Sequence, residues 1–267
     1  MRELLLHPGR AQNPWPVALV FAGIAAVILV IEAPSSWTAL TVDPGHYKTI
    51  DYNLYMDATR SWLAGHGFYH LYQLAGPYEI TPGDILYPPV ALWLFAPFTV
   101  LPSALWWAIP LGVGAAATVV HRPSVITWPL LAIALAWQPT EIKILSGNPV
   151  IWAFAALAVG THAGGWAVFV LLKPALAPFA FWGVNRRAWW GFLGAFALAC
   201  LAVAPMWADW ITVMVNSRNP SGLFYSWQEA PLLLIPIIAW WGGSGRRPAH
   251  PAAVETSRGL TARAPSS

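Results

Sequence analysis

Charge is what this chain has least of. Asp, Glu, Lys and Arg make up 9% of its 267 residues, against about 25% in an ordinary soluble domain. That scarcity excludes an ordinary soluble globular enzyme, and a hydrophobic content of 57% excludes a disordered chain. Cysteine is nearly missing as well. Cys200 is the single one and sits in an apolar run, so disulfide frameworks and cysteine-rich metal sites are excluded. Neither Gly-x-Gly-x-x-Gly nor a Walker A sequence occurs, which removes those phosphate-cradling loops. No Asp-x-Asp pair is present to hold a nucleotide-sugar metal, and no internal repeat is evident.

What the chain has is apolar and aromatic. It carries 18 tryptophans, and its mean hydropathy is +0.54. These values predict a polytopic all-α membrane protein. A net charge of +3 needs no nucleic-acid partner, because basic residues are expected at cytoplasmic loops. Apolar runs place spans at 16–31, 89–101, 103–120, 125–137, 149–160, 166–184, 188–205 and 230–241. Eight spans put both termini inside. The Asn185-Arg186-Arg187 turn then agrees with the positive-inside rule, and His121-Arg122 does not. The expected organisation is one transmembrane domain over 1–241, with external loops at 32–87 and 206–228. A basic, disordered cytoplasmic tail would cover 242–267.

The first loop concentrates the acids. Six of the eleven lie there (Glu32, Asp43, Asp51, Asp57, Glu79, Asp84), with only two basic residues, Lys48 and Arg60. Within it Leu54, Ala58, Trp62 and Leu63 recur at helical spacing. They predict a surface helix over 51–64 that Gly65 ends. Asp51 opens that helix. It reads either as a general base for a hydroxyl or as a carboxylate that favours the helix dipole. Asp57 reads as a solvated partner of Arg60. Tyr55, Tyr69, Tyr72, Tyr78 and Tyr87 suit an interfacial aromatic belt or a ligand surface. His46, His66 and His70 lack zinc spacing, so no metal is expected, and no cofactor either.

Lys173 lies inside an apolar run and needs a counter-anion, a water-filled cavity or a route to snorkel. Arg218, in the second loop, could also meet a phosphate. Glu141 and Lys143 flank the fourth expected span and could pair with each other.

Asp51-x-x-x-Tyr55, Leu63-Ala64-Gly65 with Tyr69, Tyr87-Pro88-Pro89, Ala96-Pro97-Phe98 with Leu101-Pro102, Ser146-Gly147-Asn148 and Leu172-Lys173-Pro174 follow one another in order. Together they resemble glycosyltransferase family 87, whose members have the GT-C fold. The resemblance covers roughly residues 50–187. It implies a GT-C-like bundle in the plasma or inner membrane with an extracytoplasmic active site. The implied reaction is an inverting transfer of a hexose, by family default mannose, from a polyprenyl-phosphate donor to a lipid or glycan acceptor.

By that likeness Asp51 is the catalytic base, and Lys173 and Arg218 bind the donor phosphate. Tyr55, His66, Tyr69 and Tyr87 contact substrate or lipid. The expected span order puts Asn148 on the inner side, away from that site. The chain is shorter than members of that family usually are. A truncated or inactive GT-C-like scaffold is therefore an alternative, as is a transporter or lipid-flipping protein.

Overall fold

The computed structural model describes residues 49–81, 83–218 and 226–243, together with Leu19, Val20, Gly23 and Val27. Most of the expected first span and tail, and part of each expected external loop, lie outside the described residues. Among the described residues there is no strand. Two isolated bridges occur, Tyr78 with Ser217 and Pro123 with Gly243.

Helix α1 covers Ile50–Leu63 and ends at Ala64, followed by Gly65 at φ 85°, close to the sequence expectation. Its buried face is formed by Tyr52, Tyr55, Met56, Ala58 and Thr59, while Leu63 is exposed. Asp57 and Arg60 pair on its outer face at 2.8 Å, as their i,i+3 spacing predicts. A short α2 follows at Leu71–Ala75.

Proline then shapes the chain. It has no N–H to donate and its ring crowds the preceding turn, so it starts helices readily and interrupts them elsewhere. The apolar run 89–101 accordingly breaks into 3-10 turns at Pro89–Ala91 and Ala96–Thr99 around α3, Leu92–Phe95. The run 166–184 breaks in the same way. A 3-10 stretch, Gly164–Leu172, stops at Lys173. Pro174–Leu176 and the one-turn helix α8, Ala177–Ala180, continue it.

The longer helices are α4 (Ala104–Val120), α5 (Thr127–Ala136), α6 (Gln138–Ser146), α7 (Val150–Gly160), α9 (Arg187–Leu201), α10 (Trp207–Asn216) and α11 (Ala230–Trp241). Helix α7 is central, packed on the Gly164–Leu172 stretch, α4 and α11. Gly160 allows the first contact, since a Cβ there would lie 2.9 Å from Ala167. An aromatic cluster fills the core beside α1. Trp106 stands 5.8 Å from Tyr52, 5.9 Å from Phe95, 5.1 Å from Phe98 and 5.5 Å from Trp152, ring centre to ring centre. Much apolar surface stays outside, including Trp190, Leu198 and Leu201 on α9 and Ile211 and Val215 on α10.

This architecture corrects the expected eight-span GT-C-like membrane bundle. Among the described residues no single helix is long and apolar enough to cross a membrane. The longest, α4, rises about 26 Å at 1.5 Å per residue, short of the roughly 30 Å of a hydrocarbon core. Three pairs of elements reach the required length and composition only together, and each is sharply bent, by 116°, 108° and 78°. Averaged hydropathy runs straight through prolines and glycines, where the backbone turns. The expected multi-pass location, with an extracytoplasmic site and membrane lipids as partners, rested on those spans and is withdrawn with them.

Candidate functional site

The second of these bends builds a polar centre. Helix α6 ends at Gly147, which adopts the left-handed φ of 71° that closes a helix. The chain then leaves through Asn148-Pro149 into α7, and α6 and α7 meet at 108°. No larger residue fits at 147, because a Cβ would lie 2.6 Å from the Trp107 ring and 2.9 Å from Tyr52. Two indoles hold the turn. Trp106 Nε1 donates to the Gly147 carbonyl and Trp107 Nε1 to the Ile144 carbonyl, each at 2.7 Å. They satisfy acceptors that the end of a helix leaves open. The Thr49 N–H donates to the Leu145 carbonyl at 3.2 Å, which ties the start of α1 to the same turn.

This arrangement presses Ser146 and Asn148 against Asp51 in the first turn of α1. Ser146 Oγ donates to Asp51 Oδ2 at 2.7 Å and Asn148 Nδ2 donates at 2.8 Å. Asn148 Oδ1 accepts from the Tyr87 hydroxyl at 3.0 Å and from Lys173 Nζ at 3.3 Å. Lys173 is buried, 2% exposed, and its ammonium is bound by Glu229 at the N-terminus of α11. It also lies 5.2 Å from the centre of the Tyr87 ring. Lys143 bridges the two carboxylates, 3.9 Å from Asp51 and 3.7 Å from Glu229. Burial pushes the Lys173 ammonium down from its ordinary range, and the Glu229 charge opposes that shift.

The network forms one wall of a cavity of about 500 Å³, within the usual range of ligand sites. Asp84 stands at another wall. Its Oδ1 accepts from the Tyr72 hydroxyl, and its Oδ2 accepts from the Thr81 N–H at 2.6 Å. Leu54, Tyr55, Ile80, Leu86 and Ile142 supply the apolar part of the lining.

The structure therefore brings Asp51, Tyr55, Tyr87 and Lys173 together, and leaves three expected residues outside. His66 is exposed beyond the end of α1. Tyr69 is buried and donates to the Tyr87 carbonyl at 2.9 Å, as a brace behind the cavity. Arg218 is exposed, and its N–H donates to the Tyr78 carbonyl. Neither Tyr55, Tyr69 nor Tyr87 belongs to a surface belt, since all three are buried. Asn148 was expected on the far side and is instead at the centre. A count of spans assumed a crossing where the chain folds back. Glu229 escaped sequence reasoning altogether. Its one signal was Lys173, whose need for a counter-anion it meets.

No protein-family model, no curated protein and no solved structure matches the chain. With that result the assignment as a polyprenyl-phosphate-dependent hexosyltransferase, mannose-specific or otherwise, is corrected. The geometry gives a physical reason. The two cations expected for a leaving phosphate are not available to it, since Lys173 is bound by Glu229 and Arg218 does not line the cavity. The expected partners, a polyprenyl-phosphate sugar and a lipid or glycan acceptor, are withdrawn with that chemistry. Among the described residues no group of three or more His, Cys, Asp or Glu side chains is placed to hold a metal ion.

Proposed function

We propose that the chain is a non-catalytic helical scaffold whose polar cavity is a binding site for a small molecule. On this reading the residues that resemble family 87 keep an arrangement of side chains without group transfer. The observation that carries it is the mutual engagement of Asp51, Asn148, Lys173 and Glu229. Asp51 Oδ2 holds two donors, and the Lys173 ammonium is enclosed between Glu229 and Asn148. Groups so occupied hold a shape and a charge pattern. A group-transfer site of the expected kind needs a cation open to the leaving group, and Lys173 is closed in.

Native mass spectrometry of the purified full chain tests the reading. Wild type should retain a small-molecule mass, and Ile80→Trp, which fills the cavity from a partly exposed wall, should lose it while keeping its helical circular dichroism. Wild type without bound mass, or Ile80→Trp with the same bound mass, would count against it.

A further inference from the structure

Resting on that binding reading, we infer that the cavity is selective for a small primary amine with an apolar body. Three carboxylates line it, Asp51, Asp84 and Glu229, against two ammonium groups, Lys143 and Lys173. Both ammonium groups are already matched. Lys173 is on Glu229, and Lys143 lies between Asp51 and Glu229. The charge left over is one negative, carried by Asp84, which neither ammonium group pairs with, and by Asp51, which Lys143 meets only at 3.9 Å and shares with Glu229. At Asp51 the contacts among the described residues converge on Oδ2 from Ser146, Asn148 and Lys143. Oδ1 is the acceptor left for a ligand. At Asp84 the hydrogen bonds come from a phenol, a backbone N–H and a hydroxyl, which satisfy acceptor positions without cancelling charge.

An anion would meet this excess charge unfavourably. A neutral ligand would leave it uncompensated in a site partly shielded from water, where Coulomb energies are larger than in bulk. An ammonium group meets it with charge-assisted hydrogen bonds. The remaining lining decides the rest of the ligand. Leu54, Ile80, Leu86 and Ile142 offer aliphatic surface, so a ligand of charge alone would desolvate them for nothing in return. The volume of about 500 Å³ leaves ample room for a body of aromatic-ring size.

Three probes share one body and differ in charge: 2-phenylethylamine, 2-phenylethanol and 3-phenylpropionate. Titration calorimetry of the full chain at pH 7 should show the amine binding at least about tenfold more tightly than the alcohol, and no heat with the carboxylate. Asp51→Asn should shrink that preference towards one, with circular dichroism reporting that the variant is folded. Asp84→Asn gives a second, independent arm should Asp51→Asn fail to fold. The ligand class is overturned if the alcohol binds as well as the amine, if the carboxylate is preferred, or if none of the three binds. It is equally overturned if both folded variants keep the full preference. Any of these results can coexist with a retained small-molecule mass in wild type. A failure of the amine assignment is thus distinguishable from a failure of the binding reading.

Discussion

Two hollows draw their linings from neighbouring stretches of chain near Tyr87 and Lys173, and they could hardly differ more. The polar cavity takes Tyr87 and Lys173 themselves. A groove of about 610 Å³ takes the nearby residues Val90 and Leu172, with Trp93, Ile109, Trp152 and Phe196. One holds five charged side chains and the other none. The contrast shows how a chain with few charges can still make a charged site. Along the 3-10 stretch and the broken apolar run, close neighbours line different cavities, Leu172 one and Lys173 the other, so charge is gathered in one and excluded from the other. It also shows where stability is at risk, because an unpaired ion is costly only where water cannot reach it.

The largest effect should come from splitting the buried ion pair. Glu229→Ala leaves the Lys173 ammonium without its carboxylate, and loss of one partner of a buried pair costs about 3–5 kcal/mol. Chemical denaturation at pH 7 should show that loss. The penalty should shrink as pH rises, because Lys173 can then stay buried as the neutral amine. Lys173→Met with Glu229→Leu should recover most of the stability, since an apolar pair of similar volume needs no compensation. An equally damaging double variant would break the comparison.

A smaller effect should separate two tryptophans whose rings touch. Trp106 Nε1 donates to the Gly147 carbonyl on the cavity side. Trp152 Nε1, on the groove side, is buried with no hydrogen-bond partner among the described residues. Trp106→Phe leaves a buried carbonyl unsatisfied, whereas Trp152→Phe removes an orphan donor. The first should therefore be less stable than the second by about 1–3 kcal/mol in thermal melts. Equal melting temperatures would mean that the indole bond does not hold the turn.

The smallest effect at neutral pH concerns Tyr72 at Asp84. Loss of surrounding water, then the hydrogen bond to Asp84 and its charge, push the Tyr72 phenol from 10 up to about 12. A raised acid favours the neutral phenol in the folded state. Its contribution to stability is therefore complete below pH 10 and is lost as pH rises towards 12. Ultraviolet titration of the phenolate should show this late group. Asp84→Asn should bring it back towards 10, and an unchanged midpoint would detach Tyr72 from the cavity wall.

How much of this was legible depends on the range over which the relevant forces act. The helix at Ile50–Leu63 and its stop near Gly65 follow from local periodicity and turn chemistry, and the structure has them close to where they were expected; the apolar run 230–241 is a helix over those residues, but too short to span a membrane. Asp51, Tyr55, Tyr87 and Lys173, which the resemblance grouped, line one cavity in the structure. The length of continuous helices was not legible. An apolar window does not register that Pro97 or Pro174 interrupts the helix within it.

The residue order alone carries an apolar, helical chain, an acid-rich segment from Glu32 to Asp84, and a lysine at position 173 that needs a counter-anion, water or a way out of its apolar run. Packing is what sets Glu229 against Lys173 across 56 residues of chain, and Asn148 against Asp51 across 97. The reason is physical. Local propensity is set by neighbours along the chain, whereas a buried charge is answered by whichever opposite charge the packing brings within reach. Here the bend at Gly147 and the break at Lys173 decide which one that is.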